Sequence, residues 1–129
     1  MKQRSLVLAF LMVLLASGWG QVQSGPMIGH VSMRSAQLWI QTESPADVVV
    51  EYAERDEADS QTAWLQSDPV RTDKASALAA HVELNNLEPG TSYDVRFLID
   101  GEWVQGSDVV VHTQVLWDYR MAPPPFKFV

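Results

Sequence analysis

Beyond its first twenty residues the chain alternates apolar and polar positions with a period of two. Ala36, Leu38 and Ile40 alternate with Gln37, Trp39 and Gln41. Val48, Val50 and Tyr52 alternate with Val49, Glu51 and Ala53, and Tyr93, Val95, Phe97 and Ile99 alternate with Asp94, Arg96 and Leu98. Such a period puts successive side chains on opposite faces of an extended chain, so each segment predicts a half-buried β-strand. Around Trp39 the pattern leaves open which face is inner, because this ring outweighs any single aliphatic residue opposite it. Weaker patterns predict an edge strand over residues 25–31, a short strand over 63–66 and another short pairing near Val70 and Thr72. Residues 76–84 (SALAAHVEL) carry helix-favouring alanines, yet Leu78, Ala80, Val82 and Leu84 keep a period of two and predict a strand. Residues 102–104 and 109–113 predict a return strand interrupted at Gly106 and Ser107.

Turn chemistry falls between these segments. Asp100-Gly101 predicts a two-residue hairpin of type I′, and residues 43–47 (ESPAD) a connection between two strands. In Leu87-Glu88-Pro89-Gly90-Thr91-Ser92-Tyr93, Pro presets φ and Gly accepts φ > 0, as a type II turn requires. Leu87 then faces inward, while Tyr93 buries its ring and returns its hydroxyl to nearby backbone. This is the tyrosine corner of immunoglobulin-like sandwiches. The hydrogen bond is worth about 1 kcal/mol net and the ring burial roughly 1.5–3 kcal/mol, so packing is the larger contribution. Short strands about ten residues apart, with no firm helix, predict an all-β, immunoglobulin or fibronectin type III-like β-sandwich over residues 21–114.

The two ends differ in character. Lys2 and Arg4 precede an apolar run over residues 6–16 and then small residues, the layout of a cleavable signal peptide over residues 1–20, with cleavage after Gly18 or Gly20. The run is too short to span a bilayer comfortably. The chain has no cysteine, which excludes lipoprotein processing and disulfides, so the core must hold by packing alone. The predicted location is periplasmic or extracellular, with no stable membrane span after cleavage. At the other end, residues 115–129 read as a Pro-rich linker in which Pro123, Pro124 and Pro125 stiffen the chain before Phe126 and Phe128 open a new apolar alternation.

Charge narrows the function classes. Loss of Lys2 and Arg4 with the leader takes the net charge from −7 to −9. The remaining basic residues are scattered, which argues against nucleic acid as a partner. His30, His81 and His112 fall on three different strands without ligand spacing, and no nucleophile and base stand in a recognisable order. Glu51 and Asp94 are expected to face solvent, and the acidic run over residues 54–59 to be a solvated loop. No catalytic, cofactor-binding or metal-ligating residue is predicted. Trp64 and Trp103 read either as edge packing or as an exposed aromatic strip.

The segments GPMIGHV at residues 25–31, SAQLWIQT at 35–42, LEPGTSY at 87–93 and Trp117-Asp118-Tyr119 with PPPFKF at 123–128 resemble the N-terminal module of secreted PhoD-like alkaline phosphatases. The LxPGTxY part is common to many fibronectin-like domains; the Trp-x-Tyr…PPPFKF junction is the more telling part. The resemblance implies that a metal-dependent phosphoesterase domain follows the junction and is the partner of this module. It implies no cofactor in this chain, with calcium and iron expected only in the catalytic domain, whose ligands match no position here. Trp117, Tyr119, Arg120, Phe126 and Phe128 are then the expected interdomain contacts. The alternative is a stand-alone exported module that binds a glycan or a protein through a sheet edge or through Trp64 and Trp103.

Overall fold

A computed structural model describes residues 21–57, 64–118, 121–123 and 125. The described residues form nine β-strands and one short 3-10 turn at Arg55–Glu57. The strands are β1 (Val22–Val31), β2 (Ser35–Thr42), β3 (Asp47–Glu54), β4 (Leu65–Gln66), β5 (Val70–Arg71), β6 (Ala79–Asn85), β7 (Ser92–Ile99), β8 (Glu102–Trp103) and β9 (Val109–His112). One sheet has the order β1-β2-β6; the other has the order β4-β3-β7-β8, with β5 also pairing β3 and β9 also pairing β7. Every pairing is antiparallel. Two facing antiparallel sheets with this order make the predicted fibronectin type III-like sandwich.

The period-two segments build the core. Ala36, Leu38 and Ile40 of β2 are fully buried and Trp39 is not, so the aliphatic face is the inner one. They meet Ala80, Val82 and Leu84 of β6 in their own sheet, and Val48, Val50, Val95, Phe97, Ile99 and Val111 from the other. Burial of each large apolar side chain stabilises by about 1.5–3 kcal/mol, which carries the domain in the absence of disulfides. Two buried hydroxyls also hold the sheets in register. Thr42 and Thr72 share a 2.8 Å hydrogen bond, and Thr72 Oγ1 accepts from the Ala46 N–H at 2.9 Å.

The turns follow their chemistry. Gly90 has φ +66°, as the type II reading requires, and Asp100 and Gly101 have φ of 50° and 80°, as a type I′ hairpin requires. At the corner, the Glu88 N–H donates to the Tyr93 hydroxyl at 2.9 Å. Tyr93 also stacks edge-on with Tyr52, ring centres 6.2 Å apart.

Three boundaries differ from the sequence reading. Strand β1 starts at Val22, earlier than residue 25, because its pairing with β2 reaches Thr42. Strand β4 is confined to Leu65–Gln66, while Ala63 lies outside the described residues. Strand β6 starts at Ala79 and not at Ser76. Residues 74–78 form a turn instead, with Ala77 and Leu78 at φ of 55° and 59°. Local bonds win there: the Ser76 N–H donates to Asp73 Oδ1 at 2.8 Å and the Leu78 N–H to the Asp73 carbonyl at 2.7 Å. The Ser76 N–H, helped by the Ser76 hydroxyl, holds the Asp73 carboxyl below its ordinary value. The signal-peptide reading falls on residues 1–20, outside the described residues. Among the described residues no helix is long and apolar enough to cross a membrane.

Candidate functional site

The chain leaves the sandwich beside the tyrosine corner, and its exit is built residue by residue. Thr113 is buried just past β9. Its hydroxyl donates to the Glu88 carbonyl at 2.6 Å and accepts from the Thr91 N–H at 2.9 Å. Gln114 then ties both sheets together. Its carbonyl accepts from the Gly90 N–H at 3.0 Å, its N–H donates to the Ser32 carbonyl at 3.1 Å, and its side-chain amide donates to the Val31 carbonyl at 3.0 Å. The backbone direction at residue 114 is therefore set by the corner on one side and by the end of β1 on the other.

Past Gln114 the described side chains are mostly large, apolar and exposed, with Asp118 exposed among them. Val115 lies against Gly90, whose Cβ position would be 3.5 Å from Val115 Cγ2. Val115, Leu116, Trp117 and Met121 are 59%, 63%, 53% and 66% exposed, and Met33, beside Ser32, is 40% exposed. The Trp117 indole N–H donates to the Met121 carbonyl at 3.0 Å, and the Met121 N–H to the Asp118 carbonyl at 2.9 Å. Gln114 thus sets where the chain leaves the sandwich, and the residues that follow carry large exposed apolar side chains. A surface of that kind marks a protein contact more often than an ordinary exterior does. Of the residues expected at such a contact, Trp117 is here; Tyr119, Arg120, Phe126 and Phe128 lie outside the described residues.

The outer face of the larger sheet carries a second cluster. Glu51 of β3 stands opposite Arg96 of β7, and their Oε2 and Nε are 2.6 Å apart. The Gln66 amide donates to the other Glu51 oxygen at 2.8 Å, and the Arg96 guanidinium lies 4.1 Å from the centre of the Trp64 ring. Glu51 does not face open solvent as its strand position suggested, since its side chain is only 13% exposed. Asp94 is half-buried beside Arg55, at 4.0 Å. The tryptophans also resolve. Trp64 gives a face to Arg96, whereas Trp103 is 53% exposed opposite Leu98. In the sheet order β4 and β8 stand at opposite edges, with β3 and β7 between them, while the Trp64 ring reaches Arg96 of β7.

The histidines stay separate. His30, His81 and His112 are exposed on β1, β6 and β9. Among the described residues no group of three or more His, Cys, Asp or Glu could hold a metal ion. His112 Nδ1 lies 2.8 Å from the Ser92 hydroxyl, a pairing that sequence spacing did not reveal. Both are outward-facing and opposite each other in the β7–β9 register. A nucleophile also needs a group orienting the imidazole and donors for an oxyanion. Among the described residues neither is assembled around this pair, and it reads as a cross-strand hydrogen bond.

Comparison with known proteins bears on the fold and on the family. A family model described as a domain of unknown function, DUF7800, matches residues 20–114. No curated protein matches the chain. Among solved structures, the chain is similar to PhoD with a TM-score of 0.62 at 19% identity, covering 78% of this chain and 20% of that one. The sensor domain of the anti-sigma factor RsgI4 of Pseudobacteroides cellulosolvens gives 0.56 at 13% identity, covering 77% of this chain and 93% of that one. The first three fibronectin domains of chicken CNTN1 give 0.51 at 14% identity, covering 74% and 32%. At these identities the likenesses speak for the sandwich fold, and the chain spans only a fifth of the PhoD chain.

Proposed function

Since the chain belongs to the DUF7800 family of domains of unknown function, we propose that it is the non-catalytic N-terminal module of an exported PhoD-like phosphatase. Its work is mechanical. Gln114 fixes the direction in which the chain departs, and the apolar cluster of Met33, Val115, Leu116, Trp117 and Met121 packs against the phosphoesterase domain beyond it. Tyr119, Arg120, Phe126 and Phe128 are assigned to the same contact on their sequence positions. Residues 1–20 are assigned to export and residues 115–129 to the interdomain linker. Calcium and iron, with the hydrolysis of phosphate esters, belong to the catalytic domain.

The observation that carries this reading is the exit itself, where Gln114 is bonded to the corner and to the end of β1 and large exposed apolar side chains follow it. Similarity to a fifth of the PhoD chain supports it. The experiment is to read the nucleotide sequence after the Val129 codon in all three frames, then to assay phosphate release from an aryl phosphate. A continuing segment with Asp, His and Asn clusters, active only when joined to this module's reading frame, supports the proposal. An unrelated gene directly downstream, in every isolate sequenced, contradicts it.

A second reading is a stand-alone module for a glycan or protein, favoured by one observation, the exposed Trp103 ring beside Leu98. Binding that vanishes in Trp103→Ala and survives in Trp117→Ala would favour it over the first.

A further inference from the structure

The two edges of the smaller sheet are built differently, and the difference points to a partner. Strand β1 pairs β2 through three register irregularities and contains Pro26, which offers no N–H. Bulges and proline are the ordinary means of stopping a sheet edge from recruiting another strand. Strand β6, at the opposite edge, pairs β2 in unbroken register from Ser35↔Asn85 to Gln41↔Ala79. It has neither proline nor bulge.

The register also shows which backbone groups β6 leaves open. The Thr42 N–H donates to the Leu78 carbonyl at 2.9 Å, one position beyond the last strand pair. Antiparallel ladders alternate hydrogen-bonded and non-hydrogen-bonded pairs. Ala80, Val82 and Leu84 therefore bond to β2, and the N–H and C=O groups of His81 and Glu83 point away from it. Of the neighbouring outward groups, the Ala79 N–H is already bonded to the Ser76 carbonyl at 3.1 Å.

We propose that this edge pairs with β6 of a second copy of the chain, antiparallel and centred on Val82. That centre sets His81 opposite Glu83 of the other copy and Ala79 opposite Asn85, each combination occurring twice about the two-fold axis. Two separate requirements are met by the same register. The outward-pointing backbone groups of His81 and Glu83 face one another as a hydrogen-bonded pair. Their side chains, both exposed on the solvent face, bring an imidazole against a carboxylate in both halves. Val82 keeps its place in the core, so the monomer does not repack. The product is one continuous six-stranded sheet, β1-β2-β6 joined to the same three strands of the second copy. The exit at residues 114–121 plays no part in it.

Sedimentation velocity of the full mature chain, from micromolar to sub-millimolar concentration, reads the association directly. His81→Glu and Glu83→Lys each place like charges or a mismatched pair at both crossings and should weaken it about tenfold. The double variant recreates opposite charges in reversed order and should return to within about threefold of the original. Slowed amide exchange at His81 and Glu83 with rising concentration, at unchanged rates for Ala80 and Val82, would support the same register. A chain that stays monomeric throughout overturns the proposal. So does a dimer indifferent to all three variants, or one abolished by Leu116→Asp, which would place the contact at the exit.

Discussion

The corner at residues 87–93 and the exit at residues 114–121 lie side by side, joined through the Gly90–Gln114 hydrogen bond, yet they are finished to different degrees. At the corner Leu87 and Tyr93 are buried and the hydroxyl is bonded. Thr113 closes the neighbouring carbonyl and N–H. Among the described residues no buried side-chain nitrogen or oxygen lacks a partner. At the exit the backbone is bonded to the sandwich as far as Gln114, and beyond it Val115, Leu116, Trp117 and Met121 are more than half exposed. Order in the first region comes from its own packing. In the second, the sandwich fixes Gln114, and the apolar side chains past it stay exposed among the described residues.

Substitutions can break this contrast at either end. Phe97, fully buried at the centre of β7, anchors the finished side. Phe97→Ala should cost about 3–5 kcal/mol in urea unfolding of the chain, through lost transfer energy and a cavity. Thr113→Val keeps the shape but strands the Glu88 carbonyl and the Thr91 N–H, for a loss of about 1–3 kcal/mol. A loss below a few tenths of a kcal/mol would mean that water reaches both groups.

Tyr93→Phe removes the acceptor of the Glu88 N–H and should cost about 1 kcal/mol. The same residue predicts an alkaline limit. Burial pushes its hydroxyl above the ordinary value, so the folded chain holds this proton more tightly than the unfolded chain. The stabilisation is then complete below about pH 10 and is lost as pH rises through the folded value. The Tyr93→Phe chain should lack that part of the alkaline loss, measured as the difference between the two pH–stability curves. On the unfinished side, Leu116→Ser and Trp117→Ser should change the stability of the chain alone by no more than about 0.5 kcal/mol. A larger loss would show that the exit packs on its own sandwich and has no vacant surface to offer.

Much of the finished side is legible in the sequence. Alternation gives the faces of β3 and β7, and the turn residues give the corner and the Asp100-Gly101 hairpin, because each signal is local. Trp39 marks where alternation stops short: a period of two defines two faces but not which one meets the other sheet. The start of β6 escapes the pattern because Asp73 and Ser76 bond to backbone within three residues, an option that periodicity does not weigh. The Glu51–Arg96 pair joins residues 45 positions apart and becomes visible only once the β3–β7 register is known. At the exit the apolar residues themselves are legible. Their placement is not, since it rests on Gln114 reaching Val31, 83 positions away.

The central claim is that the exit surface is a docking face for a catalytic domain further along the polypeptide. Hydrogen–deuterium exchange over residues 114–121 tests it most directly, comparing this chain with the longer polypeptide read through its downstream sequence. The account predicts strong added protection of the backbone around Leu116 and Trp117 in the longer polypeptide, with the corner at residues 87–93 equally protected in both. Equal exchange at the exit in the two samples, with a folded phosphoesterase domain present, would contradict it.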